Sequence, residues 1–91
     1  MATIVTYDIP TKHTELKRLL YEEGYKDQIP GVQNCKIIYL PNTTLYHSSK
    51  TALQAREDVQ AVCRSLQINL ERCIATQWGP DWSAICGEDF K

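Results

Sequence analysis

The stretch "IVTYDIP", Ile4 to Pro10, is an apolar, β-branched run that finishes on a carboxylate and then a proline. A strand entering a hydrophobic core gains nothing from a terminal Asp8 unless the charge is used. One use is local, since aspartate bonds free backbone amides in the turn that follows a strand. The other is chemical. A second copy of the chain brings a second Asp8, and two carboxylates held close share a proton or a divalent cation such as Mg²⁺. A cation there polarises a phosphoryl oxygen and activates water, the chemistry of a metal-dependent phosphodiesterase.

The other candidate groups are more scattered. His13 and His47 occur without a Ser-His-Asp or His-x-x-x-His arrangement, and isolated histidines more often cap or decorate a surface. "YHSSKT", Tyr46 to Thr51, has the hydroxyls to hold a phosphate at a helix start, and equally those of an ordinary helix cap. Arg56 and Arg64 lie eight apart with Gln60 between them, a spacing that suits successive phosphates, although Glu57 and Asp58 intervene as on a solvated face. Trp78 and Trp82 flank "GPD" and either stack bases or seal a core edge or subunit interface.

The elements that must position these groups follow from periodicity. Residues 2–9 alternate Ile4, Thr6, Asp8 with Val5, Tyr7, Ile9, the pattern of a strand. Leu16, Leu19 and Leu20 recur at helical spacing until Gly24 supplies a stop. "YKDQIPGVQN" reads as a connector because Pro30-Gly31 favours a turn. "CKIIYLP" then gives a second strand, and "TLYHS" after the turn residues Pro41 and Asn42 gives a third, paired with it as a hairpin. Thr51 and Gln54 have capping-box spacing, and Ala55, Val59, Val62, Cys63 and Leu66 form one apolar stripe on a second helix. "LERCIATQW" is the fourth strand and "WSAICG" a short peripheral fifth.

This order predicts an α+β fold, a ferredoxin-like βαββαβ unit with an additional short C-terminal strand, in which an antiparallel sheet carries two helices on one face. By parity, Tyr7, Tyr39 and Cys73 fall on the helix-free face. An uncovered apolar face in so small a protein favours a homodimer.

The 91 residues are expected to form a single domain, residues 1–91. The N-terminus has no basic region leading into a long apolar run, and no stretch is long enough to span a bilayer, so a cytoplasmic protein without membrane contact is expected. The four cysteines contain no short chelating pair, which makes a zinc site a tertiary construction only. They are read as reduced, small hydrophobic residues. Ten Lys and Arg against eleven Asp and Glu exclude binding of nucleic acid by bulk charge. A site for RNA or DNA would have to be a local patch or be completed by a partner.

"IVTYDIP" followed by a helix, and "VQNCKIIYL" opening a strand, resemble the small CRISPR-associated spacer-acquisition subunit, the second numbered Cas family. The chain is also similar to that family's relatives, virulence-associated protein D and small SinR-like proteins. The element order and length match across about the whole chain. Cys35 stands where the family pattern often has serine, and Lys36 where it has an apolar residue. The resemblance implies a ferredoxin-like homodimer in which paired Asp8 side chains hold Mg²⁺ for cleavage of RNA or DNA. Tyr7 is then the neighbour of the ligand, with Gln33 and Asn34 beside the nucleic acid. It also implies the alternative of a non-enzymatic dimeric interaction module of the same fold, as in members that serve as a non-catalytic bridge for the integrase and its DNA.

Overall fold

The computed structural model describes residues 1–31 and 35–87. Seven elements follow in chain order: β1 (Thr3–Asp8), α1 (His13–Glu22), β2 (Gln28–Pro30), β3 (Ile37–Tyr39), β4 (Thr44–His47), α2 (Ala52–Ser65) and β5 (Arg72–Gln77). The chain is an α+β protein, with two helices and an antiparallel sheet in the order β4-β1-β5. β1 is central, with Val5 opposite Leu45 on one side and Ala75 on the other. Among the described residues no helix is long and apolar enough to cross a membrane.

Helix α2 forms where local chemistry specifies it. The Thr51 hydroxyl accepts from the Gln54 amide and the Gln54 side chain accepts from the Thr51 amide, so two otherwise unpaired donors are satisfied reciprocally. Its apolar stripe, Ala55, Val59, Val62 and Cys63, is buried as its spacing requires. Among the described residues α1 has no side-chain cap at Lys12. It ends through Gly24, whose φ of 95° few other residues adopt, and a Cβ there would stand 2.9 Å from His47 Nε2. Both helices lie on the face of the sheet that presents Val5, Tyr7 and Leu45, and these close one core with Leu16, Leu20 and Val59.

That arrangement inverts the expected faces. Tyr7 and Cys73 are directly opposite each other and belong to the helix-side core. The helix-free face instead carries Ile4, Thr6 and Asp8 of β1, Thr44 and Tyr46 of β4, and Arg72, Ile74 and Thr76 of β5, because side chains alternate and opposed residues share a side. Alternation fixes the two sets but not which set faces the helices. In β1 both sets are β-branched or apolar enough to be buried.

Residues 35–41 and 44–48 do not form a hairpin. β3 pairs with β2, Ile29 opposite Ile38, in a separate two-stranded sheet, whereas β4 pairs with β1. The segment read as a connector therefore contains a strand, disguised because it ends in Pro30, which cannot donate to a ladder. Residues 82–87 are not a strand. They form a strap whose Cys86 carbonyl accepts from the Tyr39 amide at 3.0 Å. Cys86 is joined by a disulfide to Cys35, 51 residues away, so the reading of four reduced thiols fails for this pair. The β2-β3 sheet and the strap enclose a second cluster, Ile29, Ile38 and Leu40, against Ile4, Tyr46, Trp78 and Trp82.

Candidate functional site

Asp8 ends β1 on the helix-free face, and its antiparallel neighbour across the ladder is Arg72, the first residue of β5. The register brings the two side chains together: Arg72 Nε donates to Asp8 Oδ2 at 2.6 Å. The backbone is also engaged, since the Asp8 carbonyl accepts from the Glu71 amide at 2.9 Å. The Asp8 side chain is 48% exposed and that of Arg72 77%. The guanidinium is held charged even more firmly than usual, first by its hydrogen bond to Asp8 and then by the Asp8 charge. Around them lies a shallow open depression formed by Thr6, Asp8, Arg72 and Ile74 among others.

A carboxylate and a guanidinium at the end of a central strand, both open to solvent, form a pair of opposite specificities. The carboxylate suits a hard cation and the guanidinium suits a phosphate. No group of three or more His, Cys, Asp or Glu side chains able to hold a metal occurs among the described residues. Mg²⁺ does not require such a group. It retains several waters and is commonly held by one or two carboxylates together with substrate phosphates. Asp8 fits as one ligand, provided that Arg72 yields the oxygen it now occupies.

The remaining sequence candidates do not converge on this pair. Tyr7 is buried on the opposite side of the sheet, where its hydroxyl has no hydrogen-bond partner among the described residues. Its pKa is driven far up, first by burial and then by the nearby Tyr21 and Cys63. Arg56 and Arg64 are exposed on α2, on the helix side of the sheet, away from the face that carries Asp8. Gln33 and Asn34 lie outside the described residues. Trp78 and Trp82 lie 5.0 Å apart between ring centroids, tilted by 34°, and pack on the second cluster.

A connected polar network elsewhere in the protein leaves no pattern in the sequence. Tyr25, buried, donates its hydroxyl to Asp58 Oδ2 at 2.8 Å, and Lys50 forms an ion pair with the same oxygen. The Lys50 ammonium lies 5.5 Å from the centre of the Tyr25 ring, whose edge meets His47 at 4.8 Å between centroids. His47 Nδ1 accepts from the Ser49 amide at 3.1 Å, which leaves Nε2 to donate to the Glu23 carbonyl at 2.9 Å. The network ties α2 to the end of α1 and to β4. "YHSSK" thus acts as structure rather than as a phosphate loop. The only local signal was the position of Lys50 and Asp58 eight residues apart, which parity and period do not connect.

In comparisons with known proteins, the chain matches no protein-family model, no curated protein and no solved structure. Fold and site together define a small α+β protein with one sheet face covered by helices. The other carries an exposed Asp-Arg pair.

Proposed function

We propose that the protein acts as a homodimer that binds and cleaves RNA or DNA with Mg²⁺, Asp8 being the metal ligand contributed by each protomer. The observation that carries this reading is the placement of Asp8: a half-exposed carboxylate at the end of the central strand, on the sheet face the helices leave open. Ile74, 67% exposed on the same face, supplies apolar surface for a second copy. Arg72 is the natural phosphate contact beside it. Arrival of a phosphate draws the guanidinium from Asp8 and releases the carboxylate for the cation, so substrate and metal assist each other. Bound Mg²⁺ would supply charge stabilisation at the phosphoryl oxygens.

The ferredoxin-like reading belongs to the same proposal. Lys26, just before β2, exchanges both backbone hydrogen bonds with Tyr46 of β4, each 2.8 Å long. That single bridge supports a sheet continued as β5-β1-β4-β2, with β3 and the strap as additions.

A second reading has its own observation. Because Arg72 already neutralises Asp8 within one chain, the pair also suits a non-enzymatic dimeric module in which it orders the rim of a protein-binding face. Metal binding separates the two. Manganese electron paramagnetic resonance on the purified protein is expected to show a bound ion that Asp8→Asn abolishes while the dimer persists in sedimentation. Equal binding by wild type and Asp8→Asn removes the enzymatic reading.

A further inference from the structure

The strap from Trp82 to Gly87 has features that neither the Asp8 site nor the dimer reading uses. It lies across the β2-β3 sheet and forms one wall of a largely apolar cavity of about 550 Å³, opposite Ile4, Ile38 and Leu40. Yet the strap buries little of itself. Trp82 is half-buried, residues 83–87 are exposed, and Ile85 is 84% exposed. Its backbone contact is close at one point: Gly87, with φ 76°, approaches β3 so nearly that a Cβ would meet the Tyr39 carbonyl oxygen at 3.2 Å. Beyond Trp82, which packs on the second cluster, the segment buries little apolar surface and has no regular hydrogen bonding. Its covalent tie is the Cys35–Cys86 disulfide.

We propose that the Cys35–Cys86 disulfide is a reversible latch, which when reduced by a dithiol releases the C-terminal strap and opens the apolar cavity beneath it. In this step the Sγ–Sγ bond breaks and the dithiol supplies two electrons and two protons. Cys35 and Cys86 become thiols while the dithiol closes to its own disulfide. Access favours the reaction, because Cys86 is exposed and Cys35 only half-buried, and exposed disulfides are the labile, regulatory ones. The remaining cysteines do not compete. Cys63 is buried in the helix-side core, and burial pushes up the pKa of the Cys63 and Cys73 thiols, which keeps them poor nucleophiles. The main core is independent of the latch, since neither Cys35 nor the strap belongs to it.

Both tryptophans of the chain belong to the cluster that the strap covers, so their emission reports the latch directly. The test compares oxidised protein, protein reduced with dithiothreitol, and the variants Cys35→Ser and Cys86→Ser. The readouts are thiol titration in denaturant, tryptophan emission, binding of an apolar dye and far-ultraviolet circular dichroism. Expected are two titratable thiols in the oxidised protein and four after reduction. Emission should shift to the red and dye binding rise on reduction, dichroism should be retained, and reoxidation should reverse the change. Both variants should resemble the reduced protein without reductant. Four thiols under oxidising conditions would overturn the proposal. So would unchanged emission on reduction, and so would loss of the far-ultraviolet signal, which would make the disulfide a staple of the whole fold.

Discussion

Replacing Tyr25 by phenylalanine tests how the polar network holds the fold. The substitution removes one hydroxyl and leaves the ring in place, so the packing against His47 is kept. What is lost is a hydrogen bond of 2.8 Å to a carboxylate, and hydrogen bonds to charged groups contribute roughly 1.5–3 kcal/mol. The lower end applies, because Asp58 keeps Lys50 and its side chain is 21% exposed, so water can replace the phenol. The expected loss is about 1.5 kcal/mol, a fall in Tm of roughly 6–12 °C for a domain of this size. Asp58→Ala should cost more, about 3 kcal/mol, because it strands a buried phenol hydroxyl without an acceptor. The double variant should then cost less than the sum of the two, since removing the hydroxyl removes the stranded group. Urea unfolding followed by circular dichroism measures all three. A Tyr25→Phe cost equal to or above that of Asp58→Ala, or strict additivity, would refute the reasoning.

Other consequences are as specific. Thr51→Ala should lower stability by about 1 kcal/mol by removing the cap of α2, and Thr51→Ser should retain most of it, both read from thermal unfolding. Leu16→Ala, in the helix-side core, should cost about 2–5 kcal/mol. Ile74→Lys should stay within roughly 0.5 kcal/mol for the folded monomer but weaken self-association in sedimentation, because Ile74 is exposed on the helix-free face. The phenols give a pH signature. Burial, aided by the charge of and hydrogen bond to Asp27, pushes Tyr21 up to about 12, and burial with Asp58 pushes Tyr25 higher still. A pKa raised on folding gives stability that is present below the unfolded value of 10.0 and lost as pH rises through the folded value. Unfolding midpoints should therefore fall above pH 10, with tyrosinate absorbance rising with the loss of structure, and Tyr25→Phe should reduce that alkaline sensitivity.

How much of this was legible in the sequence depends on how far each feature reaches. α2 was readable because its cap and its stripe are set by residues three and four apart. β1, β4 and β5 were readable from alternation, but their faces were not. Ile4 and Thr6 are as strand-like as Val5 and Tyr7, and only the helices' choice of side decides which set is buried. β2 is three residues ending in proline, indistinguishable locally from a turn. The Cys35–Cys86 bond spans 51 residues and leaves no spacing signal. Asp8 stood out through its position at a strand end, whereas its partner Arg72, 64 residues away, becomes visible only when the register of β1 against β5 is known. That register changes the chemistry of the site, since it gives the carboxylate a counter-charge within its own chain.

On the proposed reading Arg72 controls Asp8, and removing it should sharpen the proposed metal site. Arg72→Gln frees the carboxylate oxygen and should tighten Mn²⁺ binding while weakening capture of phosphate. The most direct measurement is cleavage of labelled single-stranded RNA and duplex DNA by the purified protein, with Mg²⁺ and with chelator, beside folded and dimeric Asp8→Asn. The account predicts cutting that requires the metal and disappears in the variant. Failure of a folded, dimeric wild type to cut either substrate, or undiminished cutting by Asp8→Asn, would contradict it.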